Sequence, residues 1–222
     1  MPNSVRWRLV VPVKEAHLAK TRLVAPTPVS RPELARALAL DTLHAVCRAL
    51  PPEDLYVVTS DQVVRGVSAA WGASLVPDPG KGLNAAVQRG IAAAGESLSG
   101  SGSGREPVAI GVLLGDLPAL RPEDLLEALA ACAEHEQAVV PDLSGTGTVL
   151  LTATRGTLPH PSFGPGSAAR HAEVATVLPL DLPRLRQDVD DLPSLAAAVS
   201  LGVGPRTAHV VSPQRPHERT AN

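Results

Sequence analysis

The sequence predicts an α/β protein with one mostly parallel central sheet and helices on both faces. Short apolar runs rich in β-branched residues alternate with segments of helical periodicity along the chain. The longest run, residues 108–114, is continuously apolar, which is typical of a central strand covered on both faces. Strands that alternate with helices favour a parallel sheet, because each helix returns the chain to the same end of the sheet.

The predicted elements follow in order from the N-terminus. A strand at 9–13 opens into the polar stretch 14–22. Ser30 and Glu33 have the spacing of a capping box with Pro32 between them, which predicts a helix from there to Cys47. The remaining predicted elements are strands at 55–59, 74–77, 108–114, 138–141, 149–152 and 176–180 and helices at 63–71, 83–94, 122–135, 168–175 and 192–201.

Length and composition indicate a single domain over residues 1–211. The chain has 222 residues, of which 44% are hydrophobic, enough for one core. The Ser- and Gly-rich stretch at about 96–106 has little apolar surface to bury, so we expect a flexible loop there. The Pro- and charge-bearing end, residues 212–222, is expected to be a disordered tail.

Charge and apolar patterning argue against nucleic-acid and membrane partners. The net charge is -2 and aromatic residues make up 2% of the chain, so neither a basic surface nor a set of base-stacking rings is indicated. No apolar run approaches the roughly 18 to 20 residues that span a bilayer. Cys47 and Cys132 stand alone and are interpreted as reduced core residues. We therefore expect a cytoplasmic protein; a homodimer is compatible with the sequence.

The polar stretch after the first strand is the first candidate site. It places Lys14, Lys20 and Arg22 in one loop. Lysine offers a mobile point charge and arginine a fork for phosphate oxygens, so the three could neutralise a triphosphate and its departing pyrophosphate. A solvated basic loop is the alternative, since the stretch has no glycine-rich phosphate cradle.

Three carboxylates form the second candidate. Asp116 follows the strand at 108–114, and a carboxylate at a strand end can hold Mg²⁺, which prefers oxygen ligands. Asp188 and Asp190 alternate on an extended segment and could reach the same ion. The alternatives are a turn-forming Asp116 and a helix N-cap at 190–191, a role that explains Asp188 poorly.

Two small-residue loops form the third candidate. Residues 145–148 read Gly-Thr-Gly-Thr, and residues 163–167 read Phe-Gly-Pro-Gly-Ser before a short helix. Exposed backbone N–H groups at such a position can bind a phosphate or carboxylate. Two ordinary tight turns would have the same composition. The histidines, His171 included, lack metal-binding spacing and are interpreted as structural.

Together these segments resemble the guanylyltransferases that make the phosphodiester precursor of the deazaflavin coenzyme F-420. The resemblance spans about residues 9–204 and rests on short motifs at 11–14, 19–23, 82–86, 115–118, 145–148, 163–167, 169–171 and 188–190. It implies a Rossmann-like fold of the nucleotide-diphospho-sugar transferase type. It also implies Mg²⁺ at Asp116, Asp188 and Asp190, a phosphorylated three-carbon acid at Thr148, Gly164 and Ser167, and GTP near Lys14, Lys20, Gly82 and Asn84.

The resemblance implies that GTP condenses with phosphoenolpyruvate to give enolpyruvoyl-diphospho-guanosine and pyrophosphate. Lys14, Lys20 and Arg22 would screen the charge, and no general base is needed because the attacking phosphate is already anionic. Phospholactate is the alternative acceptor. Val149 and Phe163 could line a wall against a flat vinyl group, or could pack in the core. A metal-dependent glycosyltransferase and a non-catalytic nucleotide-binding domain are the more distant alternatives.

Overall fold

The computed structural model describes residues 5–20, 23, 29–96 and 108–212. The predicted flexible loop at about 96–106 and the predicted tail at 212–222 lie almost entirely outside the described residues, as does Arg22. None of the described helices is long and apolar enough to cross a membrane.

The chain folds into alternating strands and helices at nearly the predicted positions. The strands are β1 Arg6–Pro12, β2 Leu55–Val58, β3 Ser74–Val76, β4 Val108–Leu113, β5 Gln137–Pro141, β6 Thr148–Ala153 and β7 Thr176–Val177. The helices are α1 Arg31–Ala49, α2 Gln62–Ala70, α3 Leu83–Glu96, α4 Pro122–Ala133, α5 Ser167–Ala172, α6 Pro183–Arg186, α7 Leu192–Leu201 and α8 Pro205–Val211.

The seven strands form one sheet in the order β3-β2-β1-β4-β6-β5-β7. β1 pairs in parallel with β2 and β4, and β2 with β3. β6 runs antiparallel to both of its neighbours, β4 and β5. The predicted α/β class with a mostly parallel sheet is therefore confirmed.

The reversed direction of β6 matters for function. Parallel strands end at one edge of the sheet, and an antiparallel strand begins there. Leu113 of β4 pairs with Leu150, and Pro141 of β5 pairs with Thr148 at the start of β6. Thr148 is thus brought to the edge where β4 leads into Asp116.

Both faces of the sheet are covered by helices, as the continuous apolar strands predict. Leu9 and Val11 of β1 join a cluster with α1 and α4, whereas Val10 joins Val87 and Ile91 of α3 on the opposite face. Alternate residues of a strand point to opposite faces, so both sides of β1 are buried. A third cluster packs α1 against α7.

Local sequence did not predict every element. β7 is two residues long, shorter than the predicted 176–180, because it is an edge strand that pairs with β5 alone. α6 has four residues, too few for a periodic pattern. α8 was not predicted because its N-terminus is stabilised from a distance: the buried Asp41 carboxylate accepts hydrogen bonds from the backbone N–H groups of Arg206 and Thr207.

Gly90 marks the closest approach of α3 to the sheet. A Cβ at this position would lie well inside contact distance of the Val10 side chain and 2.7 Å from Val58 Cγ2. We therefore expect Gly90→Ala to lower the free energy of unfolding by about 1 to 3 kcal/mol, the usual cost of overpacking a core. A Cβ on Gly95 of the same helix would meet no atom within 4 Å beyond its own stretch of helix, so Gly95→Ala is the matched control. Equal denaturant midpoints for the two variants would contradict this account.

Candidate active site

The carboxyl ends of β1, β3 and β4 surround a cavity of about 730 Å³. Ligands of open α/β sheets bind at this edge, where the loops after the strands provide polar groups. Five of the predicted site residues line the cavity, namely Lys14, Lys20, Gly82, Asp116 and Asp190. The remaining described ones, Asn84, Thr148, Gly164, Ser167 and Asp188, lie outside its lining.

The loop after β1 is fixed by a carboxylate from the next βα connection. The Asp61 carboxylate accepts a hydrogen bond from the backbone N–H of Ala16 at 3.2 Å. It also forms an ion pair with Arg36, with 3.0 Å between Oδ2 and the Arg36 Nε. It also caps the N-terminus of α2. Asp61 was not among the residues predicted for the site, although an Asp before an apolar helical segment is a recognisable N-cap signal.

Lys20 lies between two of the predicted metal ligands. Its Nζ is 2.5 Å from Asp116 Oδ2 and 2.7 Å from Asp190 Oδ1. The Lys20 side chain is only 13% exposed, and the residue adopts a φ of 52°, which is rare for a residue other than glycine. Burial opposes the charged form of Lys20, but the carboxylates of Asp116 and Asp190 outweigh it and raise the pKa above the ordinary lysine value. The ammonium is therefore a permanent cation in the cavity.

Asp188 and Asp190 reach the site because the segment that carries them is attached to the loop after β4. The backbone N–H of Val189 donates to the carbonyl oxygen of Asp116 at 3.1 Å. Burial raises the pKa of Asp188 to about 7, and the negative charges of Asp116, Asp190 and Asp142 add to this shift. Asp191 is the N-cap of α7, in a capping box with Ser194. The capping alternative thus explains Asp191. Asp188 and Asp190, together with Asp116, form an acidic cluster beside Lys20.

The acidic cluster fits a hard divalent cation. Asp116 Oδ1 is buried and has no hydrogen-bond partner, so one carboxylate oxygen remains free for a further cation. Within the described ranges, however, no three His, Cys, Asp or Glu side chains are grouped closely enough to hold a metal ion by themselves. Mg²⁺ commonly uses one or two carboxylates and completes its shell with waters and substrate phosphate oxygens. The Mg²⁺ site at Asp116, Asp188 and Asp190 stays a prediction.

A second concavity of about 530 Å³ adjoins the first and shares Asp190 with it. Its lining includes Asp142, Ser144, Thr146, Gln187 and Asp188. Asp142 organises the Gly-Thr-Gly-Thr loop, because its carboxylate accepts hydrogen bonds from the backbone N–H groups of Thr146 and Gly147 at 3.0 and 2.9 Å. Asp142 was not among the residues predicted for the site, although an Asp followed by a Gly-rich turn commonly accepts hydrogen bonds from backbone N–H groups a few residues ahead of it.

The predicted acceptor residues lie together beside these concavities. Thr148 and Ser167 are each 2% exposed, and Ser167 Oγ donates to Thr148 Oγ1 at 3.1 Å. Gly164 is exposed. Its φ of 129° is a backbone conformation that would be strained for any residue with a side chain. Val149 and Phe163 were expected either to pack in the core or to form a wall against the acceptor. Both pack in the hydrophobic core.

Asn84 links the predicted nucleotide segment to the predicted acceptor loop. Its side-chain amide donates to the carbonyl oxygen of Phe163 at 3.0 Å and accepts from the Phe163 backbone N–H at 2.8 Å. Both ends of the amide are therefore occupied by the loop at 163–167. Contact of Asn84 with a nucleotide stays a prediction. Its two hydrogen bonds to this loop were not predicted from the sequence.

Solved structures share this fold. A structure of 4-diphosphocytidyl-2C-methyl-D-erythritol synthase superposes with a TM-score of 0.53 at 15% identity, covering 89% of this chain and 99% of that one. A protein from Desulfovibrio desulfuricans G20 described as a nucleotide-diphospho-sugar transferase gives a TM-score of 0.52 at 16% identity, covering 85% and 80% of the two chains. The nucleotide-diphospho-sugar transferase-like fold is confirmed.

Sequence comparisons are more specific. The model of the MobA-like NTP transferase domain matches residues 33–165. Proteins named phosphoenolpyruvate guanylyltransferase are 43% identical in Sanguibacter keddieii, covering 92% of this chain and 84% of that protein, and 44% identical in Streptomyces coelicolor, covering 94% and 97%. At this identity and coverage, the chain belongs to the phosphoenolpyruvate guanylyltransferase family of MobA-like nucleotidyltransferases.

Proposed function

We propose that this protein transfers the guanylyl group of GTP to phosphoenolpyruvate, releasing pyrophosphate, as a step towards coenzyme F-420. The observation that carries this proposal is the Lys20 ammonium held between Asp116 and Asp190 in a cavity large enough for a nucleotide. A fixed cation beside carboxylates suits a reaction in which two anions must meet. The names of the relatives supply the nucleotide and the acceptor.

In the proposed reaction, a phosphate oxygen of phosphoenolpyruvate forms a bond to the α-phosphorus of GTP. The bond from that phosphorus to the β-phosphate oxygen breaks, and pyrophosphate leaves. The attacking oxygen carries no proton, so the task of the protein is to position two mutually repelling anions and screen their charge. Lys14 is exposed on the cavity wall, where it can follow the triphosphate, while the more buried Lys20 provides a preorganised charge. Arg22 is proposed to assist them.

Mg²⁺ is the proposed cofactor, held by Asp116, Asp188 and Asp190. When bound, it would neutralise phosphate oxygens and orient them. The unpartnered Oδ1 of Asp116 and the raised pKa of Asp188 support a cation at this place, because both reflect carboxylate charge that Lys20 alone leaves uncompensated. These substrates also favour the cytoplasm as the location.

The acceptor is proposed to bind at Thr148, Gly164 and Ser167. We expect Thr148→Val and Ser167→Ala to raise the KM for phosphoenolpyruvate much more than the KM for GTP. Thr148→Val removes the hydroxyl proposed to donate to the anion, and Ser167→Ala removes the hydroxyl that donates to Thr148 Oγ1. A hydrogen bond to a charged group is worth about 1.5 to 3 kcal/mol, or roughly 10- to 150-fold, so the larger effect is expected for Thr148→Val. Initial rates with one substrate varied at a time give both constants. Equal changes in the two KM values would assign these hydroxyls to the nucleotide site or to the fold.

Pyrophosphate release from GTP tests the proposal as a whole. Separate reactions would contain phosphoenolpyruvate, phospholactate, a sugar phosphate or no acceptor, each with Mg²⁺. We expect release with phosphoenolpyruvate and little with the other three. Release with phospholactate alone would reassign the acceptor. Absence of release with every acceptor would favour the non-catalytic alternative.

A further inference from the structure

His171 is a buried histidine, one ring nitrogen of which contacts Thr148 of the proposed acceptor site and the other Ser162, just before the loop at 163–167. It lies on α5 and is 1% exposed. Its Nδ1 is 2.9 Å from Thr148 Oγ1, and its Nε2 accepts a hydrogen bond from the backbone N–H of Ser162 at 2.9 Å. The Phe163 ring packs edge-on against it, with centroids 5.0 Å apart. The ring therefore has one defined orientation.

The hydrogen-bond network assigns the tautomer of His171. A backbone N–H can only donate, so Nε2 must be unprotonated to accept from Ser162. Burial lowers the pKa of His171 to about 4, and the positive charges of Arg170 and His160 contribute to the shift. The ring is neutral at neutral pH and carries its hydrogen on Nδ1, from which it donates to Thr148 Oγ1.

This assignment determines what the Thr148 hydroxyl has left to offer. Thr148 Oγ1 accepts from His171 Nδ1 and also from Ser167 Oγ at 3.1 Å. A hydroxyl oxygen has two lone pairs and one hydrogen. With both lone pairs engaged, the hydroxyl hydrogen is the group that remains, so Thr148 acts as a donor, which is what an anion requires.

We propose that His171 is a positioning residue that fixes the Thr148 hydroxyl as a hydrogen-bond donor to the anionic acceptor. This inference rests on the proposed function, because it takes the acceptor to bind at Thr148. It gives the buried histidine a part in acceptor affinity in addition to its part in packing.

The second contact of His171 makes this role separable from a structural one. The Nε2 side holds the loop at Ser162, a loop that is also held by Arg170, whose guanidinium donates to the carbonyl oxygens of Ser162 and Pro165. Asparagine can place an N–H near the position of His Nδ1 without reaching Ser162. Glutamine can place an acceptor near Nε2 without donating to Thr148. The two substitutions therefore retain one contact each.

The experiment compares His171→Gln, His171→Asn and the exposed His160→Gln in full-length protein. We expect His171→Gln to raise the KM for phosphoenolpyruvate about tenfold, the effect of losing one orienting hydrogen bond, with the KM for GTP changed less than about twofold. His171→Asn should keep the KM for phosphoenolpyruvate close to the wild-type value, and His160→Gln should match wild type. In the double variant Thr148→Val/His171→Gln, the effect on this KM should be no larger than for Thr148→Val alone, because His171 acts through that hydroxyl.

Additive effects in the double variant, or equal KM values for the Gln and Asn variants, would overturn the positioning role. Melting temperatures show whether a loss reflects unfolding, and a merely structural histidine would lower them without selectivity for the acceptor. Wild-type turnover separates the two proposals. If the wild type transfers guanylyl to phosphoenolpyruvate and His171→Gln behaves like it, only the positioning inference fails; if the wild type does not, the proposed function itself fails.

Discussion

Replacing Asp116 with Asn is expected to reduce pyrophosphate release at least about 100-fold, equivalent to roughly 2.7 kcal/mol in the barrier. The substitution keeps the shape of the side chain and removes its charge. Asp116 accepts from Lys20 through Oδ2, and its buried Oδ1 has no other partner, so both oxygens serve the proposed cation site. The loss should appear in kcat, because the interaction with the cations is needed as charge moves to pyrophosphate.

The measurement for Asp116→Asn is the steady-state rate with saturating GTP and phosphoenolpyruvate, together with the melting temperature. Asp181→Asn is the matched control, since Asp181 is exposed and outside both concavities. Asp116→Asn should melt close to wild type. A variant that keeps more than about a tenth of the wild-type rate would remove Asp116 from contact with the reacting groups.

Replacing Lys20 with Met is expected to lower kcat/KM for GTP by about 100- to 1,000-fold, which corresponds to roughly 2.7 to 4 kcal/mol, the scale of losing one preorganised charge stabiliser. Met retains the length and the apolar part of the side chain. The variant also leaves Asp116 and Asp190 without their common cation. Their mutual repulsion should lower the melting temperature in EDTA, and Mg²⁺ should recover part of the loss.

Arg89→Met is the control for Lys20→Met, because Arg89 is exposed on α3 and outside the cavity lining. It should match wild type in rate and in melting temperature with or without Mg²⁺. Unchanged kcat/KM in Lys20→Met would show that the lysine is only a structural counter-ion of the acidic cluster. An unchanged rate in EDTA would instead contradict the proposed need for a divalent cation.

Much of this architecture is local enough to predict from sequence. The apolar run that became β4 and the capping pattern at Ser30 that began α1 depend on neighbours along the chain, so pattern and spacing identified them. The position of Asp116 after β4 followed from the same pattern. The place of β6 in the sheet did not follow from it. The short loop 142–147 turns the chain back antiparallel to β5, but β6 then pairs between β5 and β4, which depends on where the connection through α4 puts β5.

The site itself required tertiary contacts that the sequence pattern does not reveal. Lys20 and Asp190 are 170 positions apart, and only the fold places Nζ and Oδ1 within 2.7 Å. The family resemblance named both residues without indicating that they contact each other. His171 was interpreted as structural because a single histidine has no spacing to read, whereas its two hydrogen bonds reach residues 9 and 23 positions away.

The acidic cavity is proposed to join a guanylyl group to phosphoenolpyruvate. The most direct test is a single reaction containing GTP, Mg²⁺ and equal concentrations of phosphoenolpyruvate and phospholactate, with the guanylylated product identified by mass. Phosphoenolpyruvate is planar at the carbon that bears its phosphate and phospholactate is tetrahedral, so a site fitted to one misplaces the attacking oxygen of the other, and a misplacement of about 1 Å can cost roughly a hundredfold in rate. We expect enolpyruvoyl-diphospho-guanosine as the main product, whereas a predominantly lactyl product, or no guanylylated product, would rule out the proposed activity.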